Sequence, residues 1–343
     1  MTTKDIRTLT YKELKEHLKN NGFKAFRAKQ IDEWLWNKGI TDYEQMHTVP
    51  KDLRAYLSAN FPLHPLQLSE KQISQDQTIK CRFTTHDGHA IEGVLIPEGK
   101  RVTACISSQI GCSLDCKFCA TGKLKLARNL EAHEIYEQAF RLNQLAGEHY
   151  DLKLTNIVYM GMGEPLLNFK NVVKSISKIT DENGMGMSPR RITVSTVGIA
   201  KMIKKLADEN LRVNFALSLH SAIPEKRAAI MSITESNTLE DLKEAVRYFH
   251  EQTGVRVTYE YTLLKGVNDT LDDAKALAEF CKISPCKINL IEYNEVAQTS
   301  FQKSSKKNTK TFDDFLLSKN LIVNYRRSRG DDIDAACGQL ANK

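Results

Sequence analysis

Apolar residues recur along this 343-residue chain with two different periods, and the change from one to the other divides it. Over residues 1–65, Leu14, Leu18, Phe23 and Phe26, then Ile31, Trp34 and Leu35, fall at the spacing of amphipathic helices. Pro50, Pro62 and Pro65 punctuate the end of that segment. From about 70 to 107 the pattern shortens to strand-like runs at 79–84, 90–96 and 103–107, with His86-Asp87-Gly88-His89 turning between the first two. Beyond them, apolar β-branched runs at 154–160, 191–197, 212–219, 255–264 and 287–293 alternate with helix-like stretches at 131–146, 169–181, 199–209, 238–252 and 270–282.

Strand followed by helix, repeated, builds a parallel sheet. About six such units make an α/β barrel, partial or complete, with a doubly wound sheet as the other arrangement the pattern allows. In a barrel the chemistry sits at the carboxyl ends of the strands. The polar, lysine-rich stretch 298–310 reads as a surface loop.

Composition narrows the class. Hydrophobic residues at 41% and charged residues at 27% describe a globular chain. The first residues carry no apolar core or cleavage site, and no apolar run approaches the length of a bilayer, so the cytoplasm is the expected compartment. There the eight cysteines are thiols for metal or redox chemistry and not a disulfide frame. A formal net charge of +7 leans mildly toward an anionic partner. Three basic runs stand out: Lys12, Lys15, Lys19, Lys24, Arg27 and Lys29; Lys303, Lys306, Lys307 and Lys310; and Arg326, Arg327 and Arg329. Each alone reads as a solvated face; together they suit nucleic acid.

The sharpest chemical signal is Cys112-Ser-Leu-Asp-Cys116-Lys-Phe-Cys119, in the loop after the run 103–107. Three thiolates ligate three irons of a 4Fe–4S cubane and leave the fourth open, as a catalytic centre requires. The competing assignments are a zinc ion, which wants a fourth ligand and finds His133 as the nearest following histidine, and a disulfide with one thiol left over. Gly161-Met-Gly163-Glu164-Pro165 follows the next strand; its glycines permit close backbone approach and its carboxylate suits an ammonium group. Alone it is a glycine turn with a solvated glutamate. Ser195, Ser218, His220 and Asn294 lie near carboxyl ends of later strands, where each is either a strand-end cap or part of a polar ring.

The CxxxCxxC loop, with Phe118 before its last cysteine, resembles the radical S-adenosylmethionine (SAM) superfamily, whose open iron chelates SAM. The resemblance extends along almost the whole chain. Cys105-Ile-Ser-Ser-Gln-Ile-Gly-Cys112, Met160-Gly-Met-Gly-Glu-Pro-Leu-Leu-Asn168, Ser188-Pro-Arg-Arg-Ile-Thr-Val-Ser195, Phe215-Ala-Leu-Ser-Leu-His220 and Arg329-Gly-Asp-Asp-Ile-Asp-Ala-Ala-Cys-Gly-Gln-Leu340 are similar to the RlmN/Cfr family of RNA adenine methyltransferases. Pro165 after Gly-Glu, and Arg326-Arg-Ser-Arg-Gly330, resemble its RlmN branch.

That resemblance implies a partial (β/α)6 radical SAM barrel over 103–343 with a C-terminal catalytic-cysteine loop. It also implies a helical RNA-binding accessory domain over 1–65 and a β extension over 66–102. It implies a 4Fe–4S cluster on Cys112, Cys116 and Cys119, and SAM held by Gly163, Glu164, Ser195, Ser218, Leu219, His220 and Asn294. The implied product is C2-methylated adenine in the peptidyl-transferase region of 23S rRNA and at position 37 of tRNA; C8 is the Cfr-like alternative. Cys337 takes a methyl group and delivers it as a carbon radical, Cys105 resolves the protein–RNA adduct through a transient disulfide, and Glu92 is a candidate proton acceptor. An electron donor such as flavodoxin or ferredoxin, no membrane partner and a monomeric state complete the expectation. On the residues alone, Glu92 sits in an alternating strand as an exposed glutamate. Cys105 reads as a small buried residue, as do Cys81, Cys281 and Cys286. The N-terminal aromatics Phe23, Phe26, Trp34 and Trp36 read as core.

Overall fold

A computed structural model describes residues 4–296 and 299–341. Twelve strands run in chain order: β1 Gln67–Ile73, β2 Ile79–Thr84, β3 Ala90–Glu98, β4 Arg101–Cys105, β5 Gln109–Ile110, β6 Arg128–Asn129, β7 Asn156–Tyr159, β8 Ile192–Thr196, β9 Asn214–Ser218, β10 Val257–Leu263, β11 Cys286–Glu292 and β12 Val323–Arg326. Ten form one sheet in the order β1-β2-β3-β4-β7-β8-β9-β10-β11-β12, and β5 pairs with β6. Within the large sheet every pair from β4 onward is parallel, whereas β1 to β4 meander antiparallel. The β extension therefore continues the barrel sheet through β4. Among the described residues β12 does not pair back to β4, so the parallel portion is an open barrel.

Helices α1 Tyr11–Asn20, α2 Arg27–Asp32 and α3 Lys51–Asn60 form the N-terminal segment. On the barrel lie α4 Ala132–Tyr150, α5 Phe169–Thr180, α6 Ala200–Asp208, α7 Pro224–Ile230, α8 Leu239–Thr253, α9 Leu271–Phe280 and α10 Lys306–Ser318. Strands buried on both faces explain the unbroken apolar runs: all of β10 is buried.

Four elements depart from expectation. β1 is polar and almost wholly exposed, an edge strand held by its pairing to β2 and shielded from further pairing by its charges. β12 adds a seventh parallel strand to the six expected. α7 begins on Pro224, whose fixed φ suits a first helical turn. Part of the lysine-rich stretch is helical, since Ser305 caps Asn308 N–H and α10 buries Phe312 and Leu316 one turn apart; Gln298 lies outside the described residues.

The N-terminal segment docks through buried polar contacts. Arg7 binds Asp5 at 2.8 Å and Glu137 of α4 at 3.0 Å, and Lys178 of α5 reaches Asp32 at 3.0 Å. Trp36 is core, but Phe26 is 55% exposed with the Arg27 guanidinium 4.7 Å from its ring centre. The expectation that all four aromatics are core therefore fails at Phe26.

Candidate active site

β5 and β6 close the base of an excursion that carries the three cysteines. It turns at Gly111, where φ is +76° and an added Cβ would lie 2.2 Å from the Lys125 carbonyl oxygen. Cys119 N–H donates to the Cys116 carbonyl at 3.0 Å, and Leu114 N–H points at Cys112 Sγ at 3.4 Å. Lys117 N–H donates to the Ile230 carbonyl at 3.0 Å, and Cys116 bridges Met231, so the end of α7 backs the loop. Burial pushes the Cys112 thiol up to about 11. It raises Cys116 further, with Cys119 and Cys112 adding to the effect.

Cys119 adds its charge at both Cys112 and Cys116, and among the described residues no group of three His, Cys, Asp or Glu side chains converges on a single metal ion. His133 supplies no fourth ligand, because it is buried against Asp5, with Nε2 3.7 Å from Asp5 Oδ2. Arg227, fully buried against the same loop, adds a positive charge there. The donor set and the local charge both fit an anionic iron–sulfur cluster.

Next to this loop, β7 ends in the glycine turn. An added Cβ would lie 2.7 Å from the Ile106 carbonyl at Gly161, and 2.4 Å from Gln109 Cβ at Gly163, where φ is +91°. Glu164 is buried. Its Oε2 accepts Val197 N–H at 2.9 Å and its Oε1 accepts Leu166 N–H at 3.0 Å, while burial lifts its pKa to about 7. The solvated glutamate of the bland reading is excluded.

Ser195 and Ser218 face each other at 3.3 Å. Buried His220, at φ +55°, accepts Thr262 N–H on Nδ1 at 3.0 Å, and Phe118 of the cysteine loop meets its ring edge-on at 4.8 Å. Burial holds the imidazole neutral with a pKa lowered to about 3, so its free Nε2 carries the proton. Leu219 is fully buried and its carbonyl accepts Arg227 Nε at 3.1 Å. The Asn294 side chain binds the Cys337 carbonyl at 3.1 Å and the Ser328 hydroxyl.

Within the barrel, a cavity of 710 Å³ has both Cys105 and Cys337 on its wall. Cys105 lies at the end of β4, with burial and then Cys337 pushing its thiol up to about 12; Cys337 is exposed. Arg326 also lines the cavity, 3.4 Å from the buried carboxylate of Glu260, which accepts Asn289 Nδ2 at 2.8 Å. Cys337 first, then Glu260 and Cys105, keep its guanidinium protonated. Of the last basic run only Arg327 is exposed without an acidic partner among the described residues, since Arg329 lies 3.8 Å from Asp76.

Glu92 corrects another expectation. It is buried, lies 3.8 Å from buried Lys80, and accepts Ala341 N–H at 2.8 Å. Sequence reasoning missed Glu260 and Arg227. Glu260 had a signal, a carboxylate inside the apolar run Val-Thr-Tyr-Glu-Tyr-Thr-Leu; Arg227 on a short helix had none.

An open βα barrel with a three-cysteine loop beside its first parallel strand defines a radical SAM enzyme, which uses a 4Fe–4S cluster and SAM. The sequence matches the Radical SAM superfamily over residues 106–281 and the "Ribosomal RNA large subunit methyltransferase N-terminal domain" over 4–62. It is 53% identical, over 99% of its length and 93% of the relative's, to the "Probable dual-specificity RNA methyltransferase RlmN" of Cytophaga hutchinsonii. Against the protein of the same description from Bacillus licheniformis it is 42% identical over 98% of its length and 93% of the relative's. The crystal structure of a radical SAM methyltransferase from Sphaerobacter thermophilus superposes with a TM-score of 0.93 at 38% identity, covering 99% of both chains. The chain belongs to the RlmN family of radical SAM RNA methyltransferases. No helix among the described residues is long and apolar enough to cross a membrane.

Proposed function

We propose that the enzyme methylates C2 of adenine, in the peptidyl-transferase region of 23S rRNA and at position 37 of tRNA, through a methyl group carried on Cys337. The observation behind this reading is the pair of thiols, Cys105 and Cys337, on the wall of one cavity. C2 lies between two ring nitrogens and is electron-poor, so it does not attack an electrophilic methyl group, whereas a carbon radical adds to it.

Cys112, Cys116 and Cys119 would hold the cluster, and Gly163, Glu164, Ser195, Ser218, Leu219, His220 and Asn294 would hold SAM. When bound, cluster and SAM together supply the methyl group and the electron that starts the radical chemistry. Glu164, holding a carboxylate on two backbone N–H groups, receives an ammonium group; neutral His220 offers one N–H donor. Asn294 acts on the tail by holding the Cys337 carbonyl.

Cys337 Sγ accepts the methyl group and then loses one of its hydrogen atoms, and the methylene carbon bonds to C2. Addition leaves one unpaired electron on the base. The C2 proton leaves to Glu92 or Cys105 and that electron returns to the cluster, so a closed-shell thioether remains. Cys105, deprotonated again if it served as the base, then attacks Cys337 Sγ as a thiolate. The S–C bond breaks, a disulfide forms, and the released methylene is protonated to methyl. Cellular thiols then reduce the disulfide. Arg326, between the thiols and Glu260, steadies negative charge in the cavity.

RNA docks with unpaired bases toward the exposed Phe26 and with phosphates on the surrounding lysines and Arg327. The target adenine must leave its stack to reach the cavity. A cytoplasmic, monomeric enzyme served by a flavodoxin- or ferredoxin-type donor completes the reading. Mass spectrometry of RNA from a deletion strain and a complemented strain tests it. Restored 2-methyladenosine supports the reading, and 8-methyladenosine would move the enzyme to the Cfr-like reaction.

A further inference from the structure

Among the described residues, Arg227 is a buried charge with no carboxylate ion-paired to it. Its Nε donates to the Leu219 carbonyl at 3.1 Å, Nη1 to Thr234 Oγ1 at 2.8 Å and Nη2 to the Val197 carbonyl at 2.5 Å. All three acceptors are neutral, and no carboxylate among the described residues forms an ion pair with it. The residue is fully buried. A guanidinium resting on neutral dipoles alone is costly, and folded proteins keep one where an anion completes the site.

The direction of that anion follows from the packing. Met231 N–H donates to the Arg227 carbonyl at 2.8 Å; Met231 bridges Cys116, and the Ile230 carbonyl takes Lys117 N–H. The Cys116 thiol is the one ionisable group that favours the charge on Arg227, opposing its burial. Glu164 binds the Val197 N–H while Arg227 binds its carbonyl, and Glu164 forms no ion pair with Arg227. Arg227 is therefore packed, through Ile230 and Met231, against the cysteine loop.

We propose that Arg227 is the counter-charge of the iron–sulfur cluster on Cys112, Cys116 and Cys119, and sets the potential at which that cluster accepts an electron. The proposal rests on the reading of the cysteine loop as the cluster site. One-electron reduction adds a negative charge to the cluster, and a fixed positive charge in a medium of low dielectric favours the reduced form. Arg227 thereby makes reduction easier without touching the reacting carbon; it is a positioning residue for charge. The carboxylate of bound SAM has the same chemistry, and the experiment separates the two anions.

The full chain, reconstituted anaerobically, is titrated with a reductant and followed by electron paramagnetic resonance, first without SAM and then with it. Arg227→Met and Arg227→Gln should load the same iron as wild type yet reduce at a more negative potential without SAM, and Arg227→Lys should restore most of the difference. An unchanged potential in loaded Arg227→Met without SAM would overturn the proposal. So would a shift confined to the SAM-bound form, which would assign the charge to the SAM carboxylate. Should the neutral variants not fold, the wild-type chain still decides: cluster loading should raise its Tm and slow hydrogen exchange at Arg227–Met231. No change in either would count against the role of Arg227. Wild-type protein that takes up no cluster would instead remove the reading on which the proposal stands.

Discussion

The hydroxyl of Thr121 donates a 2.7 Å hydrogen bond to the carbonyl of Leu340, tying the turn after the cysteine loop to the tail that carries Cys337. Ala120 N–H adds a second tie, to the Gly338 carbonyl at 2.7 Å, and Asn294 holds the Cys337 carbonyl. Three successive anchors fix the backbone around one exposed thiol. In the mechanism proposed above Cys337 must meet both SAM and RNA, and its backbone is tied directly to the end of the cysteine loop.

Removing the hydroxyl should loosen that reference. Thr121→Val leaves a buried carbonyl unpaired, and we expect roughly tenfold less methylated Cys337 at a fixed time, the scale of one buried hydrogen bond. Thr121→Ser should restore it. Intact-protein mass spectrometry reads the methyl group, and hydrogen exchange over 335–341 reads the tail; unchanged exchange would show that the bond does not hold it.

Glu92 has two possible duties, anchoring Ala341 and accepting the C2 proton, and one substitution separates them. Glu92→Gln keeps an oxygen for Ala341 N–H but cannot serve as a base. If Glu92 is the proton acceptor, the variant should methylate Cys337 normally and accumulate adduct with RNA. Normal RNA turnover would leave it the anchoring role alone and pass the proton to another group.

The N-terminal segment should fail in acid. Burial, then Arg7, lower the His133 pKa to about 4, below the 6.5 of an unperturbed histidine. Between those values the unfolded chain binds more protons, so stability is full above about 6.5 and falls as pH drops toward 4. The loss is on the order of 3 kcal/mol. Denaturant titrations at pH 7 and pH 5 should show it, and His133→Gln should flatten the dependence.

RNA binding should depend on Phe26 and Arg327 more than on Arg326. Phe26→Ala should weaken binding of unpaired RNA by about 1–3 kcal/mol if a base stacks there. Arg327→Ala should reduce the slope of log K against log salt by about 1. Arg326→Gln should leave that slope unchanged while impairing the chemistry, because its guanidinium lies in the cavity beside Glu260. Equal salt slopes for the two arginine variants would contradict this division.

What was legible in the sequence is what chemistry fixes locally. The cysteine spacing, the Gly161–Glu164 turn and the βα alternation each follow from a few adjacent residues. What escaped depends on partners distant in sequence. Arg326 looks like its basic neighbours, and only the insertion of β12 beside β11 turns it into the barrel. Glu92 looks exposed because alternation assumes one wet face, yet Ile91 through Leu95 are all buried, and the C-terminal tail reaches Glu92. Phe26 keeps helical spacing but falls just before α2, where it projects outward.

The most direct test of the account uses Cys105→Ala. If Cys337 delivers the carbon and Cys105 resolves the adduct, the anaerobically loaded variant should accept a methyl group, attack the RNA and stop. Nuclease digestion followed by peptide mass spectrometry should then find an adenine joined through one carbon to Cys337, with the bond at C2. Free methylated RNA from Cys105→Ala, or its formation by Cys337→Ala, would contradict the account.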